Sequence, residues 1–322
     1  MSLVLLAITP AIFYGVLGVV TNMANLHIVG AGAIGLSLAN AFAYDHSVTL
    51  LVRRRYTAPF AFSSGQELHH LPVKHTDLSD PTQNKPLIQH GFICVKSYQL
   101  KKAIQSIVPY LAEHANLFIS HNGMSDLKEI EQYLGAKQAL YFFSTSMGGL
   151  KINDTTVKAT GAGETYLGAC NDIALERLSL SFDQFFCSQI PHSKIHHNIA
   201  QLRWQKLLVN IAINPLSAIH QVKNGQLRQP RYASMILQLL NEACVVANAD
   251  NIDIKLNEAL TSAYQVMTGT QHNSSSMAQD ILNGRYTEID AICGYIVKRG
   301  AYHGIDTPYN REMLNQLLKL HS

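Results

Sequence analysis

The sequence predicts an α/β fold, in which a doubly wound parallel sheet is followed by an all-α C-terminal domain. Two observations support this prediction. Between residues 26 and 120, short apolar runs typical of buried strands alternate with helical periods and polar turns. After Pro191, long helical periods follow one another without a strand between them. We therefore expect two domains, 23–195 and 196–322, in a chain of 322 residues.

The composition excludes several classes of protein. Charged residues make up 15% of the chain and hydrophobic residues 47%, which excludes a disordered chain. A formal net charge of +3 is too small for a dedicated nucleic-acid-binding protein. The five cysteines form no C-x-x-C pair, so neither a disulfide framework nor a zinc ribbon is indicated. We expect no bound metal and a reducing, cytoplasmic location.

The first 22 residues form an apolar leader that we expect to lie outside the fold. No charged side chain occurs before Asp45, and Leu3 to Val20 is long enough to span a bilayer. The segment lacks the basic region of a signal peptide, and Pro10 interrupts it. Met23 directly precedes the first predicted strand, so we favour Met23 as the natural start. The alternative is a membrane anchor.

The predicted N-terminal domain begins with a strand, a glycine-rich turn and a helix. A strand over Leu26–Val29 is followed by an apolar helix over Leu36–Tyr44 and a second strand over Val48–Val52. The turn between the first strand and the helix reads Gly30-Ala31-Gly32-Ala33-Ile34-Gly35. In this motif the first glycine permits the turn, the second lets a pyrophosphate approach, and the third allows close packing. The free N–H groups of the helix N-terminus bind phosphates. This context predicts a Rossmann-type domain that binds a dinucleotide.

The end of the second strand indicates which nicotinamide cofactor binds. NAD-binding domains place an acidic residue there, about 20 residues after the first glycine, to bind the ribose 2′-hydroxyl. This chain has Arg53, Arg54 and Arg55 at that point. Because a guanidinium suits a 2′-phosphate, we expect NADPH as the cofactor, with Arg53 as the contact. The alternative is three solvated surface arginines.

The rest of the N-terminal domain is less regular. Tyr56–His90 is polar and rich in Ser, Pro and His, which predicts short exposed strands and loops. Phe92–Val95 and Leu117–Ser120 predict further parallel strands, with a helix over Leu100–His114 between them. These strands end at two polar loops, Lys96-Ser97-Tyr98 and His121-Asn122-Gly123.

The C-terminal domain carries a polar stripe on a mostly apolar helix. Lys206, Asn210 and Asn214 share an arc of about 80° because each step of four residues advances only about 40° around the helix. Such a stripe must be paired internally or face a cleft, since burying it unpaired is costly. The alternatives are that Asn214 caps or kinks the helix before Pro215 and that Lys206 reaches water. The predicted helices are Ile199–Ile219, Ala233–Asn248, Leu256–Met267, Ser276–Leu282 and Thr287–Ala301.

Three further sites have simple structural interpretations. Ser276 precedes a helix and is typical of an N-cap. Glu288 is placed where a carboxylate favours a helix N-terminus. Asn224 and Gly225 form a dipeptide typical of a turn.

These segments together resemble the ketopantoate reductase (2-dehydropantoate 2-reductase) family. Order and spacing agree from about Met23 to Pro308. The matching segments are the glycine turn, Val95-Lys96, His121-Asn122-Gly123-Met124, Trp204-Gln205-Lys206-Leu207 through Asn210 to Asn214-Pro215-Leu216, Asn224-Gly225, Ser275-Ser276-Met277-Ala278-Gln279-Asp280 and Thr287-Glu288-Ile289-Asp290.

The resemblance implies an NADPH-dependent reduction of ketopantoate to pantoate, on the route to pantothenate and coenzyme A. It implies a small 2-oxo acid as partner, no nucleic acid or membrane, and a monomer or homodimer. Two alternatives stay open: a reductase of another branched 2-oxo acid, and a non-catalytic NADP-sensing module. By position, the resemblance implies Lys206 as general acid, Asn122, Lys206, Asn210, Asn214, Asn224 and Ser276 as substrate-binding residues, and Lys96, Asn122 and Glu288 near the cofactor.

Overall fold

The computed structural model describes residues 23–80 and 82–320. The predicted leader over residues 1–22 lies outside the described residues. The strands are β1 (Asn25–Val29), β2 (Ser47–Val52), β3 (Ala61–Ser64), β4 (Glu67–His70), β5 (Lys74–Asp77), β6 (Ile88–Cys94), β7 (Leu111–Ser120), β8 (Ala139–Thr145), β9 (Gly148–Lys151), β10 (Thr156–Gly161), β11 (Thr165–Ala169) and β12 (Ser193–Ile195). The helices are α1 (Ala33–Phe42), α2 (Leu100–Ile107), α3 (Leu127–Glu131), α4 (Asp172–Glu176), α5 (Leu178–Phe185), α6 (Ile199–His220), α7 (Pro230–Ala249), α8 (Leu256–Gly269), α9 (Ser276–Leu282), α10 (Cys293–His303) and α11 (Pro308–Lys319).

The main sheet confirms the predicted fold class. Its eight strands lie in the order β12-β11-β8-β7-β6-β1-β2-β5. The six strands from β5 to β8 are parallel, whereas β11 runs antiparallel to β8. This order places a topological switch point between β1 and β6, where doubly wound sheets bind ligands beyond the carboxyl ends of their strands.

Aromatic side chains stack across the middle of this sheet. Phe92 on β6 lies opposite Phe118 on β7, which lies opposite Tyr141 on β8. The ring centroids are 4.5 and 4.6 Å apart, and all three side chains are fully buried. Phe185 at the end of α5 meets both phenylalanine rings edge-on. These contacts fix the register of the strands whose ends carry the polar loops.

The helix predicted over Leu100–His114 is wrong in its C-terminal half. Helix α2 ends at Ile107, and Pro109 lies in the short 3₁₀ turn that follows. Strand β7 then begins at Leu111, which pairs with Ile88 of β6. The apolar residues after Pro109 therefore belong to the sheet and not to the helix.

The helix predicted over Thr287–Ala301 is wrong at its start. A 3₁₀ turn covers Ile289–Ala291, and α10 begins only at Cys293. The backbone of Ile292, with φ −106° and ψ −90°, departs from helical geometry. This break exposes the carbonyl of Ala291, which accepts a hydrogen bond of 2.7 Å from the N–H of Met124. The loop after β7 is thereby joined to the C-terminal half of the chain.

The segment over Tyr56–His90 forms the predicted short strands, but they are not all exposed. Strands β3 and β4 join β9 and β10 in a second sheet of order β4-β3-β10-β9, while β5 extends the main sheet beside β2. Phe60 and Phe62 are buried. The pairing of β3 with β10 joins segments about ninety residues apart, so the local pattern did not show it.

The C-terminal helices pack around α6, which contributes thirteen buried residues. Pro215 lies inside α6 and the helix continues to His220, so the alternative that Asn214 caps the helix is wrong. Helix α11 was not predicted. Among the described residues, no helix is both long and apolar enough to cross a membrane.

A buried carboxylate holds α11 in place. The oxygens of Glu242 on α7 accept hydrogen bonds from the N–H of Tyr309 (2.8 Å) and the N–H of Asn310 (2.9 Å). The side-chain Nδ2 of Asn310 donates a third bond of 2.8 Å. Because both Glu242 and Asn310 are buried, removing the charge leaves donors unsatisfied.

Replacement of this carboxylate tests its contribution. We expect Glu242→Gln to lower the free energy of unfolding by about 2–4 kcal/mol, because an amide cannot accept all three bonds. Urea denaturation measures the change. Glu312→Gln, which alters an exposed residue of α11, is the control and should change stability by less than about 0.5 kcal/mol. Equal losses in the two variants would contradict this role.

Three histidines cluster at the amino end of the main sheet. Burial lowers the pKa of His27 and of His46, and it lowers that of His90 to about 4, with the two neighbouring histidines adding to the effect. The ring of Phe185 lies 5.7 Å from His46 and 4.8 Å from His90. The folded state therefore favours neutral imidazoles in this cluster.

This cluster predicts a loss of stability in acid. Stability is fully present above pH 6.5 and falls as the pH drops towards about 4, because in that window the unfolded chain binds protons that the folded chain does not. We expect His90→Gln to flatten this dependence, measured as the free energy of unfolding between pH 7 and pH 4. The exposed His70→Gln is the control, and identical slopes in both variants would refute the prediction.

Candidate functional site

The glycine turn after β1 has the geometry of a phosphate-binding loop. Gly30 has φ +104°, and a Cβ atom there would lie 2.7 Å from the carbonyl oxygen of Cys94. A Cβ on Gly35 would overlap the carbonyl oxygen of Gly30, so the helix packs directly on the turn. Around Gly32, the residue just before α1, no atom of the described residues lies within 4 Å of a Cβ position. The turn therefore leaves open space beside the free N–H groups of α1, where a pyrophosphate fits.

The three arginines after β2 are all exposed, but they differ in their partners. Arg54 forms an ion pair with Asp154 and lies 5.1 Å from the ring of Tyr56. Arg53 forms no ion pair with any described residue. Arg53 lies near Tyr98 in the loop after β6. Burial raises the pKa of the Tyr98 phenol, and the charge of Arg53 partly offsets this effect. Its guanidinium is therefore available to an anion.

Glu288 lies at the centre of the polar loops. Its Oε1 accepts a hydrogen bond of 2.9 Å from the N–H of Ser97, and its Oε2 lies 3.4 Å from Nδ2 of Asn122. Lys96 Nζ lies 3.4 Å from the same Oε2 and 2.7 Å from Oδ2 of Asp280. The ends of β6 and β7 therefore meet the turn before α10 at one carboxylate.

The charges in this cluster are ion-paired. Burial alone would lower the pKa of Lys96, but the carboxylates of Glu288 and Asp280 outweigh it and raise the pKa above its usual value. Both carboxylates are buried, and Asp280 also accepts a bond of 3.1 Å from Nε of Arg285. Lys96 is therefore a permanent cation, and it is a poor proton donor at neutral pH.

Lys206 has the opposite electrostatic setting. Its Nζ donates a hydrogen bond of 2.9 Å to the carbonyl oxygen of Thr145, at the end of β8. Burial lowers the pKa of the amine to about 8, and the charge of Glu288 partly offsets that effect. An amine with a pKa near the working pH can both give and regain a proton, which suits a general acid.

Lys206 shares a small pocket with Asn210, between α6 and the ends of β7 and β8. His121 and Ser144 also line this pocket. The Nδ2 atom of Asn210 is buried and has no hydrogen-bond partner among the described residues. Buried donors are rarely left unpaired, so this amide points to a ligand with an acceptor oxygen. Asn214, one turn further along α6, is also buried.

Asn224 lies in the 3₁₀ turn after α6, and Ser276 is the first residue of α9. Nδ2 of Asn224 donates 2.9 Å to Oγ1 of Thr270, and its buried Oδ1 lacks a partner in the described part of the chain. The interpretation of Ser276 as an N-cap is wrong. Ser275 caps α9, because its Oγ accepts a bond of 3.0 Å from the N–H of Ala278. Ser276 is exposed.

Direct contacts join some of the predicted residues and leave others apart. Lys96 and Asn122 contact Glu288, whose charge reaches Lys206. Asn224 is connected to the loop before α9 through its N–H, which donates to the carbonyl of Asn273. Arg53 lies apart from these contacts, near Tyr98.

The roles of Asp280 and Thr145 were not predicted from the sequence. Asp280 belongs to the Ser-Met-Ala-Gln-Asp segment that resembles the family, and this is the signal in the sequence that could have identified it. Its partner Lys96 is 184 residues away, so no local pattern indicates the ion pair. The contribution of Thr145 is a backbone carbonyl, which leaves no signal in a sequence.

Known proteins resemble this chain over nearly its whole length. Residues 26–172 match the family model described as Ketopantoate reductase PanE/ApbA, and residues 198–321 match its C-terminal model. The 2-dehydropantoate 2-reductase of Vibrio cholerae is 34% identical over 300 residues, which cover 92% of this chain and 97% of that protein. The Bacillus subtilis enzyme of the same name is 31% identical over 287 residues, covering 88% and 92%. A crystal structure of a probable 2-dehydropantoate 2-reductase from Bacillus subtilis superimposes with a TM-score of 0.78 at 27% identity, covering 92% of this chain and 99% of the other.

Removal of the Arg53 guanidinium tests its contact with the 2′-phosphate. We expect Arg53→Ala to weaken NADPH binding by roughly tenfold to a hundredfold, because a charge-assisted contact to phosphate contributes about 1.5–3 kcal/mol. NADH binding should stay nearly unchanged. Fluorescence titration with both nucleotides measures the two affinities. The control is Arg228→Ala, at an exposed arginine of the C-terminal half. An equal loss of NADPH and NADH binding in Arg53→Ala would show that Arg53 does not contact the 2′-phosphate.

Proposed function

This chain belongs to the ketopantoate reductase family, and we propose that it catalyses the NADPH-dependent reduction of 2-dehydropantoate to pantoate, a step towards pantothenate and coenzyme A. The observation that carries the proposal is the environment of Lys206. Burial lowers the pKa of its amine to about 8, and the half-buried side chain lies in one pocket with the unpaired amide of Asn210. Such a group can donate a proton to a developing alkoxide.

The residues present suit the cofactor. We propose that the N–H groups of Gly30–Gly35 hold its pyrophosphate and that Arg53 holds its 2′-phosphate. Lys96, Asn122 and Glu288 would then border its nicotinamide end. When bound, NADPH supplies the hydride that reduces the C2 carbonyl carbon.

Lys206 carries the proton half of the reaction. As hydride reaches C2, one N–H bond of the ammonium breaks and its proton passes to the carbonyl oxygen, which leaves a hydroxyl group and a neutral amine. The carbonyl of Thr145 holds Nζ in place, and the carboxylate of Glu288 favours the return of the proton from solvent. The low pKa makes the transfer easier than from an exposed lysine.

The unpaired polar atoms support a substrate with both a carboxylate and a hydroxyl group. Asn210 offers a free donor, which a carboxylate or carbonyl oxygen would accept, and Asn224 offers a free acceptor, which a hydroxyl would satisfy. We assign Asn122, Asn214 and Ser276 to the same substrate site. The donor and the acceptor together favour 2-dehydropantoate over branched 2-oxo acids that lack a hydroxyl.

We further propose that the enzyme works as a monomer or homodimer in the cytoplasm. All five cysteines are free thiols, which supports a reducing compartment. The non-catalytic alternative, an NADP-sensing module, has no use for an amine with a lowered pKa beside a substrate pocket.

A panel of 2-oxo acids assayed with NADPH tests the substrate. We expect kcat/KM for 2-dehydropantoate to exceed that for 3-methyl-2-oxobutanoate, which lacks the hydroxyl, by at least about a hundredfold, because the acceptor would be left unpaired. Comparable values would favour another branched 2-oxo acid. Binding of NADPH without turnover of any acid would favour the sensor.

Substitution of Lys206 tests the proton donor. We expect Lys206→Ala to lower kcat by about 10²–10⁴-fold while the affinity for NADPH is kept. In the unmodified protein, kcat for reduction should fall as the pH rises through about 8, because the neutral amine has no proton to give. The control is Lys298→Ala, at an exposed lysine of α10. A fall in kcat of less than about tenfold per folded molecule would rule out this role.

A further inference from the structure

A buried arginine lies one helical turn before Lys206 and forms no ion pair with a described residue, although the charge of Asp126 acts on it. Arg203 is 6% exposed on α6. Burial lowers the pKa of its guanidinium to about 10, so the group stays charged at neutral pH. Burying a charge that forms no ion pair costs free energy. Stability is therefore a poor explanation for an arginine at this position.

The guanidinium connects α6 to the loop after β7. Its Nη2 donates to the carbonyl oxygen of Ser125 (3.2 Å) and to Oγ of the same residue (3.3 Å). Its Cζ lies 4.5 Å from the centre of the Phe142 ring on β8, a distance at which a cation and an aromatic face attract each other. Arg203 is thus held between the middle of β8 and the loop after β7, which both border the candidate site.

The hydrogen bonds continue from Ser125 to Asn122 in one direction. Nδ1 of His121 lies 2.9 Å from the carbonyl oxygen of Asn122, which can only accept, so Nδ1 donates. Burial, with the charge of Arg203 adding to it, lowers the pKa of His121 to about 3. The ring is therefore neutral, and its Nε2 accepts the bond of 2.8 Å from the Oγ–H of Ser125. The Ser125 oxygen keeps a lone pair for Arg203.

This chain of bonds ends at the residue that joins Glu288 to the strand ends. Asn122 Nδ2 contacts the carboxylate of Glu288, whose charge acts on Lys206. Arg203 therefore links Asn122 to α6, the helix that carries Lys206.

We propose that Arg203 is a positioning residue for the reduction, which acts through Ser125 and His121 to hold Asn122 in register with Lys206. The inference rests on the proposed function. Arg203 lines the same pocket as Lys206 and Asn210, and in this role it fixes the distance between Asn122 and Lys206. A misplacement of about 1 Å in such an arrangement costs up to about a hundredfold in rate.

Two variants and a control test the proposal. We expect Arg203→Met to lower kcat per folded molecule by about tenfold to a hundredfold, while the dissociation constant for NADPH changes less than about twofold. Ser125→Ala should lower kcat by a smaller factor, because the carbonyl of Ser125 still accepts a bond. The double variant should be no slower than Arg203→Met, since both changes break the same chain of bonds. Arg231→Met, which removes an exposed arginine that also lies over an aromatic ring, should leave kcat unchanged.

The outcomes separate this inference from the proposed function. A purely structural arginine predicts a lower melting temperature with kcat per folded molecule within about twofold of the unmodified protein, which would overturn the inference. If Arg203→Met does not fold, Ser125→Ala decides, and an unchanged kcat in that variant overturns it. If the unmodified protein turns over no 2-oxo acid, the proposed function itself fails. With that turnover intact, the results for Arg203 and Ser125 bear on the positioning role alone.

Discussion

One buried carboxylate links the two halves of this protein. Glu288 comes from the C-terminal half, yet its partners are the N–H of Ser97, the amine of Lys96 and the amide of Asn122, all at strand ends of the main sheet. A carboxylate in this position is costly unless every lone pair is satisfied. The polar loops after β6 and β7 can therefore take up this arrangement only when the turn before α10 is docked on them. The active conformation of one half depends on the other.

The two lysines of the site have opposite pKa shifts because their surroundings differ. Lys96 lies between two carboxylates, which hold its proton. Lys206 has a neutral carbonyl as its hydrogen-bond partner, and desolvation is the main influence on its amine. Two carboxylates raise the pKa of Lys96, so it stays a cation. Burial lowers the pKa of Lys206, so its proton is exchangeable. The two lysines thus differ in pKa although they are the same residue type.

The features that the sequence predicted are those with a local signature. The glycine turn is a motif of six consecutive residues. The strands around it and the polar stripe of α6 follow the periodicities of a strand and a helix, so the sequence identifies them. The pairing of β3 with β10 and the ion pair of Lys96 with Asp280 depend on contacts between distant segments, which no local pattern encodes. The break at Ile292 was missed for a related reason, because the apolar spacing around it continues as if the helix did.

Gly123 allows the two halves of the chain to lie close together. It has φ +73°, and a side chain there would overlap the carbonyl of Ala291, the group that accepts the hydrogen bond from Met124. The distance between the strand ends and the helical half is thus small because Gly123 has no side chain, and no reactive group determines it. Any larger residue would act as a wedge and widen the cleft. Hydride transfer falls off steeply with donor–acceptor separation, so the reach of the reaction is set at a position that carries no chemistry of its own.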